Sequence, residues 1–226
     1  MDAQEILSEL AEAEAVLTGR HFVYTSGERG GNHGPAYINM RAISHKSSFL
    51  DGAGMALANQ LEDLEFDMLI GPETLGRSLA GFAASWVNVD AIWCDIVELE
   101  DKTKVAKFNP KLDFGRLVKG KRFVIIDDLL TTGGSIKLVA DLITQHGGIV
   151  VAAVVVVRRS SDVGAEQCGV PILKVVAEVE GFEVLTRDQC EATGPCSQGT
   201  KVVRRPGHGW RLEELEPDFQ PGFTDL

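Results

Sequence analysis

A short apolar run in the middle of the chain ends on two neighbouring carboxylates. Val124, Ile125 and Ile126 are followed directly by Asp127 and Asp128. A continuous apolar run of this kind is typical of a buried parallel strand, and open α/β sheets bind ligands beyond the carboxyl ends of such strands. Carboxylates at that position can accept hydrogen bonds from vicinal hydroxyl groups, such as those of a ribose.

The residues after the acidic pair form a small, hydroxyl-rich turn that opens a predicted helix. This turn comprises Thr131, Thr132, Gly133, Gly134 and Ser135. Its backbone N–H groups, its hydroxyls and the positive end of the helix dipole favour an anion, and the glycines allow close approach. Strand, acids and turn together predict a cradle for a ribose 5-phosphate.

Two other nucleotide-binding motifs are not supported. The chain contains no G-x-x-x-x-G-K-[ST] sequence, so a P-loop NTPase is not indicated. The segment 52–57, Gly-Ala-Gly-Met-Ala-Leu, imitates a dinucleotide fingerprint but lacks its last Gly or Ala and follows no convincing strand. We interpret it as part of a packed helix.

The whole string from Val124 to Ile136 resembles the signature of the type I phosphoribosyltransferases, which bind 5-phosphoribosyl-1-pyrophosphate (PRPP). The resemblance covers roughly residues 17–157. It implies an α/β fold with a central, mostly parallel sheet flanked by helices and a small N-terminal hood. It also implies that Asp127 and Asp128 take part in catalysis and that residues 131–135 bind the 5-phosphate.

A second strand-to-helix turn lies upstream of this signature, after the predicted strand 66–70. The resemblance implies that it is a pyrophosphate loop made of Glu73, Thr74, Leu75, Gly76 and Arg77. Backbone N–H groups at the helix start can face an anion, and an arginine adds charge-assisted hydrogen bonds. An ordinary strand-to-helix turn with a surface arginine is the alternative.

The charged segment 100–111 occupies the place where the family has a mobile loop that closes over PRPP. Lys102, Lys104 and Lys107 are therefore candidate catalytic cations for the leaving pyrophosphate. The Arg-Lys-Glu…Lys-x-His-Gly pattern associated with orotate phosphoribosyltransferases is absent. A solvated charged loop is the competing interpretation for each lysine.

The N-terminal segment resembles the hood of the orotate enzymes, Phe-x-Leu-x-Ser-Gly…Tyr. Here it reads Phe22-Val23-Tyr24-Thr25-Ser26-Gly27, followed by Tyr37, and residues 30–35 look like an insertion. The resemblance implies that Ser26, Gly27 and Tyr37 form the base site. Tyr37 either stacks on a base or packs within the hood.

The resemblance implies phosphoribosyl transfer from PRPP to orotate, which gives orotidine 5-phosphate and pyrophosphate in pyrimidine (UMP) synthesis. It implies Mg²⁺ carried mainly by the oxygens of PRPP, with no protein residue assigned directly as a metal ligand, and a homodimer. A purine-base phosphoribosyltransferase and a non-catalytic PRPP-sensing regulator remain open alternatives.

Composition narrows the classes of partner. The formal net charge of −11 and the absence of a long basic stripe argue against nucleic acid, and 44% hydrophobic residues suffice for a substantial core. No stretch approaches the apolar length of a membrane span, and the acidic N-terminal residues do not resemble a secretory signal. We therefore expect a cytoplasmic protein without a membrane partner.

The four cysteines, Cys94, Cys168, Cys190 and Cys196, include no C-x-x-C pair. Neither a disulfide scaffold nor a structural zinc site is indicated, although Cys190 and Cys196 could meet in the fold as a functional pair. His33 and His208 lie in glycine-rich segments and are expected to be surface residues rather than catalysts.

Periodicity predicts the elements that position these residues. Helices are expected at 3–17, 48–61, from 75 and at 136–146, and strands at 22–25, 36–40, 66–70, 91–95, 122–126, 149–157 and 172–176. Alternating strands and helices imply right-handed βαβ units and a parallel sheet.

We divide the chain into an N-terminal helix and hood (1–45), a PRPP-binding α/β core (46–180) and an irregular C-terminal extension packed on the core (181–226).

Overall fold

The computed structural model describes residues 1–24, 31–159 and 162–226. The helices in these residues are α1 (Ala3–Glu12), α2 (Ser47–Asn59), α3 (Leu75–Val87), α4 (Gly115–Val118), α5 (Gly134–Gln145), α6 (Ala165–Cys168), α7 (Arg187–Thr193) and α8 (Gly209–Leu215), and Met40–Ala42 forms a 3₁₀ turn. The strands are β1 (Val16–Leu17), β2 (Phe22–Val23), β3 (His33–Gly34), β4 (Tyr37–Ile38), β5 (Met68–Pro72), β6 (Asp90–Glu98), β7 (Lys104–Lys107), β8 (Arg122–Leu130), β9 (Ile149–Arg158), β10 (Leu173–Glu178), β11 (Val202–Val203) and β12 (Phe223–Thr224).

The chain forms two compact units. Unit 1 consists of Met1–Glu9 and Ile43–Val179, and unit 2 consists of Leu10–Ala42 and Glu180–Leu226. The segment predicted as a hood and the C-terminal segment thus belong to one unit. The C-terminal segment, for which irregular structure was expected, contains the short elements α7, β11, α8 and β12.

Unit 1 is built on a six-stranded sheet in the order β10-β9-β8-β5-β6-β7. Neighbouring strands are parallel except for β7, which pairs antiparallel with β6. From β5 the chain passes through α3 to β6 on one side, and from β8 it passes through α5 to β9 on the other. The strand order therefore reverses between β5 and β8, which is where open α/β sheets bind ligands.

The core of unit 1 lies on both faces of this sheet. Phe123 and Ile125 of β8 pack in one buried cluster with Ile136 and Val139 of α5. Val124 is also fully buried, and it points to the opposite face because side chains alternate along a strand. That face is covered by α2 and α3, which contact each other and the sheet. The central strands are thus apolar on both faces, as parallel strands require.

The structure differs from the predicted elements of unit 1 mainly in the charged segment 98–119. Where a long loop was expected, residues 104–107 form β7 and residues 115–118 form α4. The segment Lys-Val-Ala-Lys is too short to show a clear strand period, so its pairing with β6 is a tertiary effect. The strand β8 also extends further than predicted, through the acidic pair to Leu130.

Unit 2 is held by short strand pairs. The pairs are β1 with β4 and β2 with β3, both antiparallel, and β11 with β12, which is parallel. His21 bridges to Val202, and His33 bridges to Leu185. Its buried apolar clusters are small, with one around Val23, Val202, Leu212 and Phe219, and another around Phe22, Tyr24 and Val203.

The expectation that His33 is a surface residue was wrong. His33 is fully buried, because β3 is paired on one side with β2 and bonded on the other through its N–H and C=O to Leu185. His208 is half-buried at the start of α8. Cys190 and Cys196 do meet, since the Cys196 N–H donates to Cys190 Sγ at 3.3 Å.

Candidate functional site

The predicted ribose and pyrophosphate motifs lie beside each other in unit 1. They follow β8 and β5, which are paired parallel strands with Ile70 opposite Ile125. Both motifs therefore leave the same edge of the sheet, at the point where the strand order reverses. A β-carbon on Gly76 would lie 2.9 Å from the Ile126 carbonyl oxygen and 3.1 Å from Asp127 Oδ1. Only glycine lets the start of α3 approach the acidic pair this closely.

The acidic pair differs in its exposure. Asp127 is buried, with 7% of its surface accessible, whereas Asp128 is half-buried. The Asp128 N–H donates to Asp127 Oδ1 at 2.9 Å. Burial raises the pKa of Asp127 well above the usual range of aspartic acid, and the negative charge of Asp128 is the second cause of the increase. A ligand that donates hydrogen bonds to this carboxylate, as ribose hydroxyls do, would favour its ionised form.

The turn predicted to bind the 5-phosphate opens α5, as expected. Gly133 has φ +79° and caps the helix, and a β-carbon there would lie 2.9 Å from Cys168 Sγ of α6. Thr132, Gly134 and Ser135 are exposed and Thr131 is half-buried. The turn thus presents hydroxyls and the first N–H groups of α5 beside the carboxylates, an arrangement suited to an anion.

The predicted pyrophosphate turn, Glu73–Arg77, leads from β5 into α3. Leu75 and Gly76 are buried, while Glu73, Thr74 and Arg77 are exposed, and the Glu73–Thr74 peptide bond is cis. Arg77 Nη1 donates to Glu73 Oε1 at 3.1 Å. The guanidinium also lies 4.0 Å from the centroid of the Trp93 ring.

Trp93 was not recognised as part of the site from the sequence, which placed it only in the predicted strand 91–95. It lies on β6, next to β5 in the sheet, and its ring supports the Arg77 side chain by a cation–π contact. An aromatic residue on the strand that follows the pyrophosphate turn is the signal that could have indicated it.

The three candidate lysines belong to the β6–β7 hairpin and are all exposed. Lys102 lies in the connection, with φ +66° and its N–H bonded to the Leu99 carbonyl. Lys104 is opposite Glu98 and Lys107 is opposite Asp95. Because side chains alternate along a strand, Lys104 and Lys107 point to opposite faces. Lys107 shares its face of the sheet with Asp95 and Trp93. The Arg77 guanidinium packs on the Trp93 ring and therefore lies over the same face.

Of the candidate base-site residues, Ser26 and Gly27 lie outside the described residues. Tyr37 is half-buried in unit 2, and its ring centroid lies 5.5 Å from that of Phe22. It packs with Phe22, Tyr24 and Val203. The described contacts of Tyr37 are thus those of hood packing, and a role in base binding stays a prediction.

Comparison with known proteins identifies the family. Residues 41–187 match the phosphoribosyl transferase domain family, which is more than half of the chain. The chain belongs to the type I phosphoribosyltransferases. The family membership and the fold predicted from the 124–136 signature are therefore confirmed.

Among type I phosphoribosyltransferases, the chain is most like the orotate enzymes. It is 29% identical over 209 residues to an orotate phosphoribosyltransferase of Caldanaerobacter subterraneus subsp. tengcongensis, with 92% of this chain and 98% of that protein covered. It is 30% identical over 184 residues to orotate phosphoribosyltransferase 2 of Mesorhizobium japonicum, covering 80% and 86% respectively.

A solved phosphoribosyltransferase structure agrees with this assignment. The crystal structure of orotate phosphoribosyltransferase from Aeropyrum pernix superimposes with a TM-score of 0.60 at 26% identity, covering 77% of this chain and 94% of that one. Within the part of the chain that the structure describes, no helix has both the length and the hydrophobicity needed to cross a membrane.

Proposed function

We propose that this phosphoribosyltransferase transfers the 5-phosphoribosyl group of PRPP to orotate and releases pyrophosphate. The observation that carries the proposal is the junction of Gly76 with Asp127, which brings the pyrophosphate turn against the ribose carboxylates at the reversal of strand order. The choice of orotate as the base rests on the similarity to proteins named orotate phosphoribosyltransferase.

The reaction breaks the anomeric C–O bond to pyrophosphate while a ring nitrogen of the base attacks. Positive charge develops on the ribose and negative charge on the leaving group. In the proposed mechanism Asp127 and Asp128 hold the ribose hydroxyls, and residues 131–135 hold the 5-phosphate. A fixed ribose places the anomeric carbon for attack, which removes much of the entropic cost of the step.

The leaving group is the second requirement. Arg77, held over Trp93 at 4.0 Å, is available as a charge-assisted donor to the pyrophosphate. Lys107, on the same face of the sheet, would add a second cation. Closing the β6–β7 hairpin over the site would exclude water from the reactive ribose, with Lys102 and Lys104 carried on the same hairpin.

Magnesium is proposed to arrive on the oxygens of PRPP. In the described residues, a cluster of three or more potential metal ligands occurs at His21, His33, Cys190 and Cys196 and not at the acidic pair. The two carboxylates supply hard oxygen ligands that can complete the coordination sphere of a Mg²⁺ ion held mainly by PRPP and water. They do not by themselves form an all-protein metal site. The ion would supply positive charge against the departing pyrophosphate.

Assembly and location are further parts of the proposal. We propose a homodimer, for which Trp86 offers an exposed aromatic surface, with 49% of the residue accessible. We propose the cytoplasm as the compartment, because all four cysteines are free, as in a reducing environment. Sedimentation equilibrium and imaging of a tagged chain test these two points.

The decisive assay measures the release of pyrophosphate from PRPP in the presence of magnesium. Orotate, adenine, guanine, hypoxanthine, xanthine and uracil are tested one at a time as the acceptor base. Orotate-dependent release that disappears in the Asp127→Asn/Asp128→Asn double variant is expected. Release that depends on a purine would replace orotate with a purine base. PRPP binding without turnover on any base would instead support a PRPP-sensing regulator.

A further inference from the structure

Two histidines and two cysteines that the proposed phosphoribosyl transfer does not use converge inside unit 2. The ligand atoms of His21, His33, Cys190 and Cys196 all lie within 4.8 Å of one another. His21, His33 and Cys190 are fully buried and Cys196 is half-buried. The Cys196 sulfur lies 3.6 Å from His21 Nε2 and 3.4 Å from His33 Nδ1, and the Cys190 sulfur lies 3.7 Å from His21 Nε2.

We propose that these four side chains bind one structural zinc ion. Two thiolates and two imidazoles are a common ligand set for tetrahedral zinc. The thiolates would also neutralise the charge of Zn²⁺, so the centre could be buried without a net charge. All four coordination positions would be filled by protein, which is typical of a structural rather than a catalytic site.

The distances agree with a tetrahedral centre. With Zn–S about 2.3 Å and Zn–N about 2.05 Å, a sulfur and a nitrogen of one tetrahedron lie about 3.6 Å apart. Three of the four sulfur–nitrogen distances are 3.4, 3.6 and 3.7 Å and bracket that value, and the fourth pair, Cys190 and His33, lies within 4.8 Å. His21 Nε2 and His33 Nδ1 are 2.8 Å apart, and they would move apart by about 0.5 Å on binding the ion.

The second nitrogen of His21 fixes its tautomer in the form that binds metal. His21 Nδ1 lies 2.8 Å from the Thr200 carbonyl oxygen. A carbonyl can only accept, so Nδ1 carries the proton and the lone pair of Nε2 faces the cluster. A backbone carbonyl in this position is a common partner of a metal-binding histidine.

The backbone around the cysteines suits a thiolate. The Cys196 N–H donates to Cys190 Sγ at 3.3 Å, a contact that stabilises negative charge on that sulfur. Gly194 N–H and Ser197 N–H both donate to the Cys190 carbonyl, which folds the connection between the two cysteines into a tight turn. A hydrogen bond between the two imidazoles alone would explain their 2.8 Å contact, but not why two sulfurs converge on the same nitrogens.

The proposed zinc ion would also stabilise unit 2, which has short strands and little apolar core. Among its described residues the strands are two residues long and the apolar clusters are small, and small units of this kind often depend on metal or disulfide cross-links. The histidines belong to Leu10–Ala42 and the cysteines to Glu180–Leu226. One ion would therefore cross-link the two chain segments of the unit.

The test begins with the metal content of the full chain, purified without a histidine tag and measured by inductively coupled plasma mass spectrometry. We expect one zinc per chain, lost in Cys190→Ser, Cys196→Ser and His21→Gln and retained in the matched controls Cys94→Ser, Cys168→Ser and His45→Gln. Circular dichroism reports whether each variant is folded. Folded wild-type protein without zinc, even after dialysis against zinc, would overturn the proposal.

Cobalt substitution of the wild-type chain keeps the test independent of variant folding. Tetrahedral Co²⁺ with two thiolates gives intense visible d–d bands and a near-ultraviolet thiolate charge-transfer band, and both are expected at one equivalent. Weak octahedral bands, or a Cys190–Cys196 disulfide found by peptide mass spectrometry of the isolated protein, would refute the site. Neither readout depends on transferase activity, so the outcome is separate from that of the proposed function.

Discussion

Gly76, at the start of α3, faces Asp127, at the carboxyl end of β8, so closely that a β-carbon on Gly76 would lie 3.1 Å from Asp127 Oδ1. The turn proposed for pyrophosphate and the carboxylate proposed for ribose are therefore in direct contact. A change in one must displace the other, because close-packed interiors transmit strain.

Gly76→Ala is expected to lower kcat/KM for PRPP by roughly 10-fold or more, since misplacement of a reacting group by about 1 Å can cost 100-fold. Gly81→Ala in the same helix is the control, because nothing lies within 4 Å of its β-carbon. Gly81→Ala should leave kinetics unchanged and stabilise the protein by about 0.5–1 kcal/mol. Equal kinetics for the two variants would refute the functional contact.

Asp127→Asn is expected to separate stability from activity. Activity should fall by roughly 100-fold to 1,000-fold, as when a preorganised polar group is removed from a reacting centre. Because the folded state raises the pKa of Asp127, the folded protein retains a proton that the unfolded chain loses as the pH rises. Ionised Asp127 thus costs stability at neutral pH, and the asparagine variant avoids that cost.

The measurement is thermal unfolding against pH. At pH 7 the Asp127→Asn variant should melt higher than the wild type, by about 2–4 °C for each kcal/mol of relieved penalty. The gain should vanish below about pH 4, where aspartic acid is protonated in the unfolded chain as well. Asp141→Asn, on the exposed side of α5, is the control for replacing a carboxylate by an amide. A variant less stable than the wild type at pH 7 would contradict the argument.

Gly133→Ala is expected to raise the KM for PRPP. The substitution combines strain at φ +79° with a β-carbon 2.9 Å from Cys168 Sγ, which displaces the turn that opens α5. Gly120→Ala is matched in backbone strain, with φ +74°, but meets nothing within 4 Å. Both should lose about 1–2 kcal/mol of stability from the left-handed conformation, and only Gly133→Ala should change steady-state kinetics with PRPP.

The two strand lysines are expected to differ. Lys107 shares a face of the sheet with Trp93 and Arg77, whereas Lys104 points to the other face. Lys107→Ala should lower kcat/KM for PRPP by roughly 10-fold to 100-fold, as the loss of a charge-assisted hydrogen bond predicts. Lys104→Ala should have a smaller effect. A larger loss for Lys104 would show that the hairpin closes with its other face over the site.

Much of unit 1 could be predicted because its signals are local. The apolar run 124–126, the acidic pair and the glycine-containing turn all lie within one strand–turn–helix segment, where pattern and structure coincide. The contact of Arg77 with Trp93 could not be predicted, since it depends on which strands become neighbours in the sheet.

Unit 2 could be predicted less well, because its structure depends on contacts between distant residues. His33 lies in a glycine-rich stretch that resembles a surface loop, and its burial comes from pairing with Leu185. The spacing of Cys190 and Cys196 matches no common metal-binding motif. Their relation to His21 and His33 emerges only when residues more than 150 positions apart are brought together.

Leu10–Ala42 and Glu180–Leu226 form one unit although Ile43–Val179 lies between them in the chain. During translation, the ribosome therefore releases every residue of unit 1 before unit 2 has its second segment. Domains generally fold as units while the chain is being made. Unit 1 can therefore fold before Leu10–Ala42 has the segment Glu180–Leu226 to pair with. Unit 2 is thus expected to fold after unit 1, and zinc capture by Cys190 and Cys196 would follow the folding of unit 1.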